Sequence, residues 1–98
     1  MFTIVWRFET PPEQAEEFEE MYGPEGDWAR LFRRAEGYLG TELYRGSGDR
    51  LTWITVDRWV SRVAFEAFRT RYPDEYAALD VRGERLTRSE QLLGTTED

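Results

Sequence analysis

The chain has 98 residues, a formal net charge of −7 and no Cys, His, Lys or Asn. This length fits one domain. The acidic balance speaks against nucleic acid and anionic membrane surfaces, which recruit clustered cations, and the missing Cys removes disulfides and thiolate chemistry. Aromatic residues make up 15% of the chain, more than one thin layer can hide, so some are expected to line a cavity or a subunit interface. No apolar run approaches a membrane span, and MFTIVWRFE lacks the basic start and apolar core of a signal peptide. A cytoplasmic location is therefore expected.

Phe2, Ile4, Trp6 and Phe8 alternate with Thr3, Val5, Arg7 and Glu9, the period of a first strand. Thr10-Pro11-Pro12-Glu13 reads as a helix start, with Thr10 as cap, Pro11 at the first helical position and Glu13 completing a capping box. Ala15, Phe18 and Tyr22 form its buried stripe, and Gly23-Pro24-Glu25-Gly26 breaks it. Asp27 is expected to cap a second segment, in which Trp28, Leu31, Phe32 and Ala35 share one helical face. Gly37 stops that segment.

Residues 38–45 form the second strand, 46–49 a hairpin loop and 51–60 the third strand. Trp53, Thr55, Asp57 and Trp59 share one face of the third strand; Thr52, Ile54, Val56 and Arg58 share the other. Ser61 caps the next helix, whose stripe is Ala64, Phe65, Phe68 and Tyr72. Pro73 is expected to end or kink it, with a short turn over 74–79 and a loop over 81–85. Residues 87–93 make a last, polar strand, and 95–98 a frayed tail. This defines a single domain over residues 1–94.

The order βαββαβ packs as an α+β, ferredoxin-like fold: an antiparallel four-stranded sheet with helices on one face. The opposite face carries Val5, Ile54 and Val56. A second copy buries it most simply, so a homodimer through sheet faces is expected.

The string EGYLGTELYR, a loop, a strand ending in DRW and then SRVAFEAF resembles the antibiotic biosynthesis monooxygenase-like family over nearly the whole chain. The join from Trp59 to Phe65 is its most specific part. The resemblance implies a dimeric α+β barrel and, in the quinone-forming members, oxygenation without a cofactor. Those members carry an Asn four residues before the strand-end Trp and a Tyr six after it. Here Trp59 holds the Trp position, Thr55 the Asn position and Phe65 the Tyr position. Haem-degrading members carry an Asn before an Arg in the first strand and a His on the second helix; here Trp6 precedes Arg7, and there is no His.

Trp6, Thr55, Trp59 and Phe65 are candidates to line a pocket for a flat aromatic, although such spacings also suit core packing. Asp57 becomes a base if it is buried beside apolar rings, and is otherwise an ion-pair partner or a solvated strand end. Trp28 is either a lid or the anchor of its helix. Tyr72, with Tyr76, either closes the pocket or staples the helix end. Arg7, Arg45 and Arg58 suit ion pairs with Glu9, Glu42 or Asp57 better than an anion site. Glu13, Glu16, Glu17, Glu19 and Glu20 read as a solvated helix face.

The leading expectation is a cofactor-independent monooxygenase acting on a small, quinol-like aromatic held between sheet and helices. The alternative is a non-catalytic ligand-binding or structural dimer of the same fold. Neither a cofactor nor a metal is expected, since the usual axial His of haem and the commonest transition-metal ligands are absent.

Overall fold

Alternation in the first residues builds β1 (Phe2–Glu9) at the centre of the sheet. The computed structural model describes all 98 residues. After β1 come α1 (Ala15–Tyr22), α2 (Asp27–Phe32), β2 (Tyr38–Arg45), β3 (Thr52–Trp59), α3 (Arg62–Arg71), α4 (Pro73–Glu84) and β4 (Ser89–Glu97). The strands form one antiparallel sheet in the order β2-β3-β1-β4. This is the expected ferredoxin-like α+β architecture. No helix is long and apolar enough to cross a membrane.

Register puts Phe2 opposite Trp59, Ile4 opposite Asp57, Trp6 opposite Thr55 and Phe8 opposite Trp53. These eight residues share the helix-covered face, and the buried rings of Phe18, Trp53, Trp59 and Phe68 fill the space above it. The other face carries Val5 opposite Val56 and Arg7 opposite Ile54. Arg7 pairs with Glu9 there at 2.9 Å, and Arg58 pairs with Glu42. Arg45 instead lies 4.6 Å over the Trp53 ring. The glutamates on and just before α1 are all exposed.

Four local expectations are corrected. Thr10 does not cap a helix: Pro12, not Pro11, opens a 3-10 turn that has no side-chain cap. Two consecutive prolines leave few N–H groups there to satisfy. The fully buried Thr10 hydroxyl instead accepts the Trp53 indole N–H at 3.0 Å. Gly26 holds the N-cap position of α2, so Asp27 lies inside the helix. Its carboxylate pairs with Arg30 and with Arg82 of α4, each at 2.9 Å. Ser61, by contrast, caps α3 through its hydroxyl, which accepts the Ala64 N–H at 3.1 Å.

Pro73 opens α4 rather than merely closing α3, because its fixed φ suits a first helical turn. The helix then continues through residues 81–84, where a loop was expected. Finally, β4 starts at Ser89 and runs on through Thr95, Thr96 and Glu97, which pair with Ile4, Thr3 and Phe2. Residues 95–97 are therefore strand, not a frayed tail. As an edge strand exposed along its length, β4 has little use for apolar alternation, which explains its polar sequence.

Candidate functional site

A cavity of about 270 Å³ opens between the sheet and the helices. Its floor is built by Ile4, Trp6 and Phe8 of β1, Thr41 of β2, Thr55 and Asp57 of β3 and Glu90 of β4. Its roof is Tyr22, Trp28, Phe32, Phe65, Arg69, Tyr76 and Asp80, drawn from all four helices.

Asp57 is the central polar group. Strand alternation turns it inward, between its cross-strand neighbours Ile4 and Thr41. Thr41 Oγ1 donates to Asp57 Oδ1 at 2.6 Å. The Thr41 oxygen lies 2.6 Å from the Tyr38 hydroxyl. Thr41 has a single proton, already given to the carboxylate, so Tyr38 is the donor in that second bond. Burial pushes the Asp57 carboxyl up to about 6, and the Thr41 bond opposes that rise. The side chain keeps some accessible surface because it faces the cavity, while the protein around it excludes bulk water. The adjacent Arg58 points to the opposite face, where Glu42 neutralises it, so it does not compensate Asp57.

Burial also raises the Tyr22, Tyr76 and Glu90 side chains above their ordinary values. The charges of Asp80 and Glu84 add to the rise at Glu90. The Arg69 guanidinium lies 4.6 Å over the Tyr76 ring. Arg69 and Glu90, the exposed members of the lining, mark the mouth. Tyr22 depends on a glycine: a Cβ at Gly83 of α4 would stand 2.0 Å from the Tyr22 hydroxyl.

Of the candidates, Trp6, Trp28, Thr55, Asp57 and Phe65 meet around this cavity. Trp59 and Tyr72 do not. Trp59 is fully buried behind the wall, its ring centroid 5.3 to 5.4 Å from those of Phe32, Tyr38, Phe65 and Phe68. The helical stripes of α2 and α3 close over the strand end and leave it no ligand-facing surface. Tyr72 packs on Phe68 and under Arg34 and Arg71, outside the cavity. Tyr76, one turn further along, lines the wall instead. Thr41, Arg69, Asp80 and Glu90 were not foreseen. Asp80 lies four residues after Tyr76 on the same helical face, a signal hidden by the expectation that the helix stops near Pro73.

The family model described as antibiotic biosynthesis monooxygenase matches residues 1–79. No curated protein matches the sequence. Several solved structures share the fold. SnoaB, a cofactor-independent oxygenase from Streptomyces nogalater, is 17% identical over 99% of this chain and 91% of its own, with a TM-score of 0.75. PA3566 from Pseudomonas aeruginosa is 16% identical over 99% and 92%, with a TM-score of 0.70. A conserved protein from Methanosarcina mazei is 12% identical over 99% and 91%, with a TM-score of 0.74. At such identities these likenesses speak for the fold alone. The family model covers well over half of the chain, and on that ground the chain belongs to the antibiotic biosynthesis monooxygenase family.

Proposed function

We propose that the chain is a cofactor-independent monooxygenase acting on a small, quinol-like aromatic bound in the cavity. The observation that carries this reading is Asp57, a carboxylate set into an aromatic-walled cavity with a pKa near about 6 and a single hydroxyl donor behind it. Such a group is mostly ionised at neutral pH and is a better proton acceptor than a surface aspartate.

Asp57 accepts the proton of the substrate hydroxyl and leaves an aryloxide. The aryloxide passes an electron to dioxygen, the co-substrate, and the radical pair joins as a carbon–oxygen bond at the activated ring CH. Protonated Asp57 returns its proton to the distal peroxide oxygen. Loss of the ring C–H proton and of that oxygen as water leaves a carbonyl. One oxygen atom enters the product and the other becomes water. The walls contributed by Trp6, Phe8 and Phe65 orient the ring and exclude solvent.

The same proposal includes a homodimer joined through the uncovered sheet faces, with Val5, Ile54 and Val56 at its centre. A stable contact of that kind buries about 1,200 Å² or more, and light scattering at micromolar concentration tests it.

Incubation with 1,4-dihydroxynaphthalene or anthrone under labelled dioxygen tests the chemistry. One labelled atom per product is expected, with Asp57→Asn slower by roughly a hundredfold. Absence of product from every hydroquinone and anthrone tried would reject the enzyme and leave a ligand-binding dimer. Thr55 and Phe65 favour that second reading, since they stand where quinone-forming members of the family carry Asn and Tyr.

A further inference from the structure

Tyr38 and Thr41 stand three residues apart in β2, a spacing that puts two side chains on opposite faces of a regular strand. Here both face inward, Tyr38 opposite Trp59 and Thr41 opposite Asp57. The pairing slips between them: Tyr38, Leu39 and Gly40 stand against only Trp59 and Arg58. This is a β-bulge, and Gly40 supplies it with a φ of +149°, which residues with a Cβ rarely adopt. Leu39, the extra residue, is exposed. The bulge thus delivers Tyr38 to the inner face, with its hydroxyl 2.6 Å from Thr41 Oγ1, which in turn lies 2.6 Å from Asp57 Oδ1.

A hydroxyl that accepts a hydrogen bond becomes a stronger donor. Tyr38 donates to Thr41, and so polarises and holds in place the one hydroxyl that binds the carboxylate. Tyr38 itself lies outside the cavity lining. The other charged or titratable groups around the cavity are Tyr22 of α1, Arg69 of α3, Tyr76 and Asp80 of α4 and Glu90 of β4; β1 and α2 present none. The Asp57 carboxyl answers to burial and to Thr41 rather than to any of these. We propose that Tyr38 is a positioning residue for Asp57, acting through Thr41 to hold Oδ1 and leave Oδ2 for the proton of a substrate hydroxyl. The β2 bulge then belongs to the site as much as to the sheet. The proposal rests on Asp57 serving as the base, but its test needs no oxygenation.

The chain has no His, so few groups titrate near neutrality. The Tyr38 Cζ resonance should move as Asp57 titrates near about 6, far below the range of a phenol itself. Asp57→Asn should remove that response. Thr41→Val should shrink it, and should leave unchanged any response of Tyr76, which feels the Asp57 charge through space. Tyr38→Phe keeps a ring against Phe32 and Trp59, whose centroids lie 5.3 Å away. It should raise the Asp57 midpoint by roughly 0.3 pH unit, the polarising share of one hydrogen bond to a charged group. In a Thr41→Val background the same change should do nothing. In an active enzyme the acid limb of kcat/KM should follow that midpoint. A Tyr38 resonance that stays flat through the Asp57 titration, an Asp57 midpoint unmoved by Tyr38→Phe, or an equal shift with and without the Thr41 hydroxyl would overturn the proposal. If Tyr38→Phe does not fold, the wild-type Tyr38 titration and its response to Thr41→Val decide. Coupled titrations in a protein that oxygenates nothing would instead reject the monooxygenase and leave the hold of Tyr38 on Asp57 standing.

Discussion

Thr41 and Asp57 face each other across two neighbouring strands, and the threonine hydroxyl gives its only proton to the carboxylate at 2.6 Å. The bond stabilises the charged form of a group that burial would otherwise push further toward neutrality. Thr41→Val should therefore raise the Asp57 pKa above about 6, whereas Thr41→Ser should leave it close to the parent value. Carboxyl carbon chemical shifts, followed through a pH titration, read this directly. A titration unmoved in the valine variant would show that the hydroxyl has no hold on the carboxylate.

The same carboxyl sets a pH dependence of stability. An unfolded aspartate titrates near 3.9, and Asp57 in the fold near about 6. Between those values the folded chain holds a proton that the unfolded chain has released. The group is thus most compatible with folding below the unfolded pKa, and its contribution worsens as pH rises through the folded pKa. At about 1.4 kcal/mol per unit the full effect is at most ~3 kcal/mol. Asp57→Asn should melt higher than the parent at pH 8, by ~1–3 kcal/mol in stability, with the gap closing toward pH 4. Calorimetry showing the variant less stable at pH 8 would contradict a desolvated Asp57.

Trp59 makes its contribution through packing. Its side chain is fully buried and touches rings from α2, β2 and α3. Trp59→Ala should cost about 3–5 kcal/mol, measured by denaturant unfolding. Trp59→Phe should cost less and leave ligand binding intact, because the residue does not border the cavity.

Gly83→Ala forces a methyl to within 2.0 Å of the Tyr22 hydroxyl, so either α4 or the Tyr22 ring must shift. A loss of about 1–3 kcal/mol is expected. In a Tyr22→Phe background the nearest atom becomes the ring carbon, 3.1 Å away in the parent, and the penalty should shrink. A double-mutant cycle reports that coupling. Purely additive losses would mean that the clash is relieved elsewhere.

Most of the sheet was legible because its central strands obey a period of two. Phe2 to Phe8 and Trp53 to Trp59 alternate cleanly, and the inward face that they predict is the one buried. What was lost depended on partners distant in sequence. Thr10 looks like a cap until the Trp53 indole, folded against it from 43 residues away, claims its oxygen. Trp59 looks like a pocket residue until α2 and α3 close over it. Pro73 signals a break in one helix and the start of another equally well, and only the length of α4 brings Tyr76 and Asp80 over the cavity. The polar run in β4 resembles a tail because an edge strand leaves few apolar marks.

Asp57 and Arg58 are neighbours in sequence and occupy opposite worlds: one faces an aromatic cavity, the other an ion pair with Glu42 on the outer face. A slip of β3 by a single residue would exchange them and put a guanidinium where the carboxylate now stands. The acid–base character of the cavity is therefore a property of strand alignment as much as of composition. The pairing of β3 with both β1 and β2 guards the chemistry along with the fold.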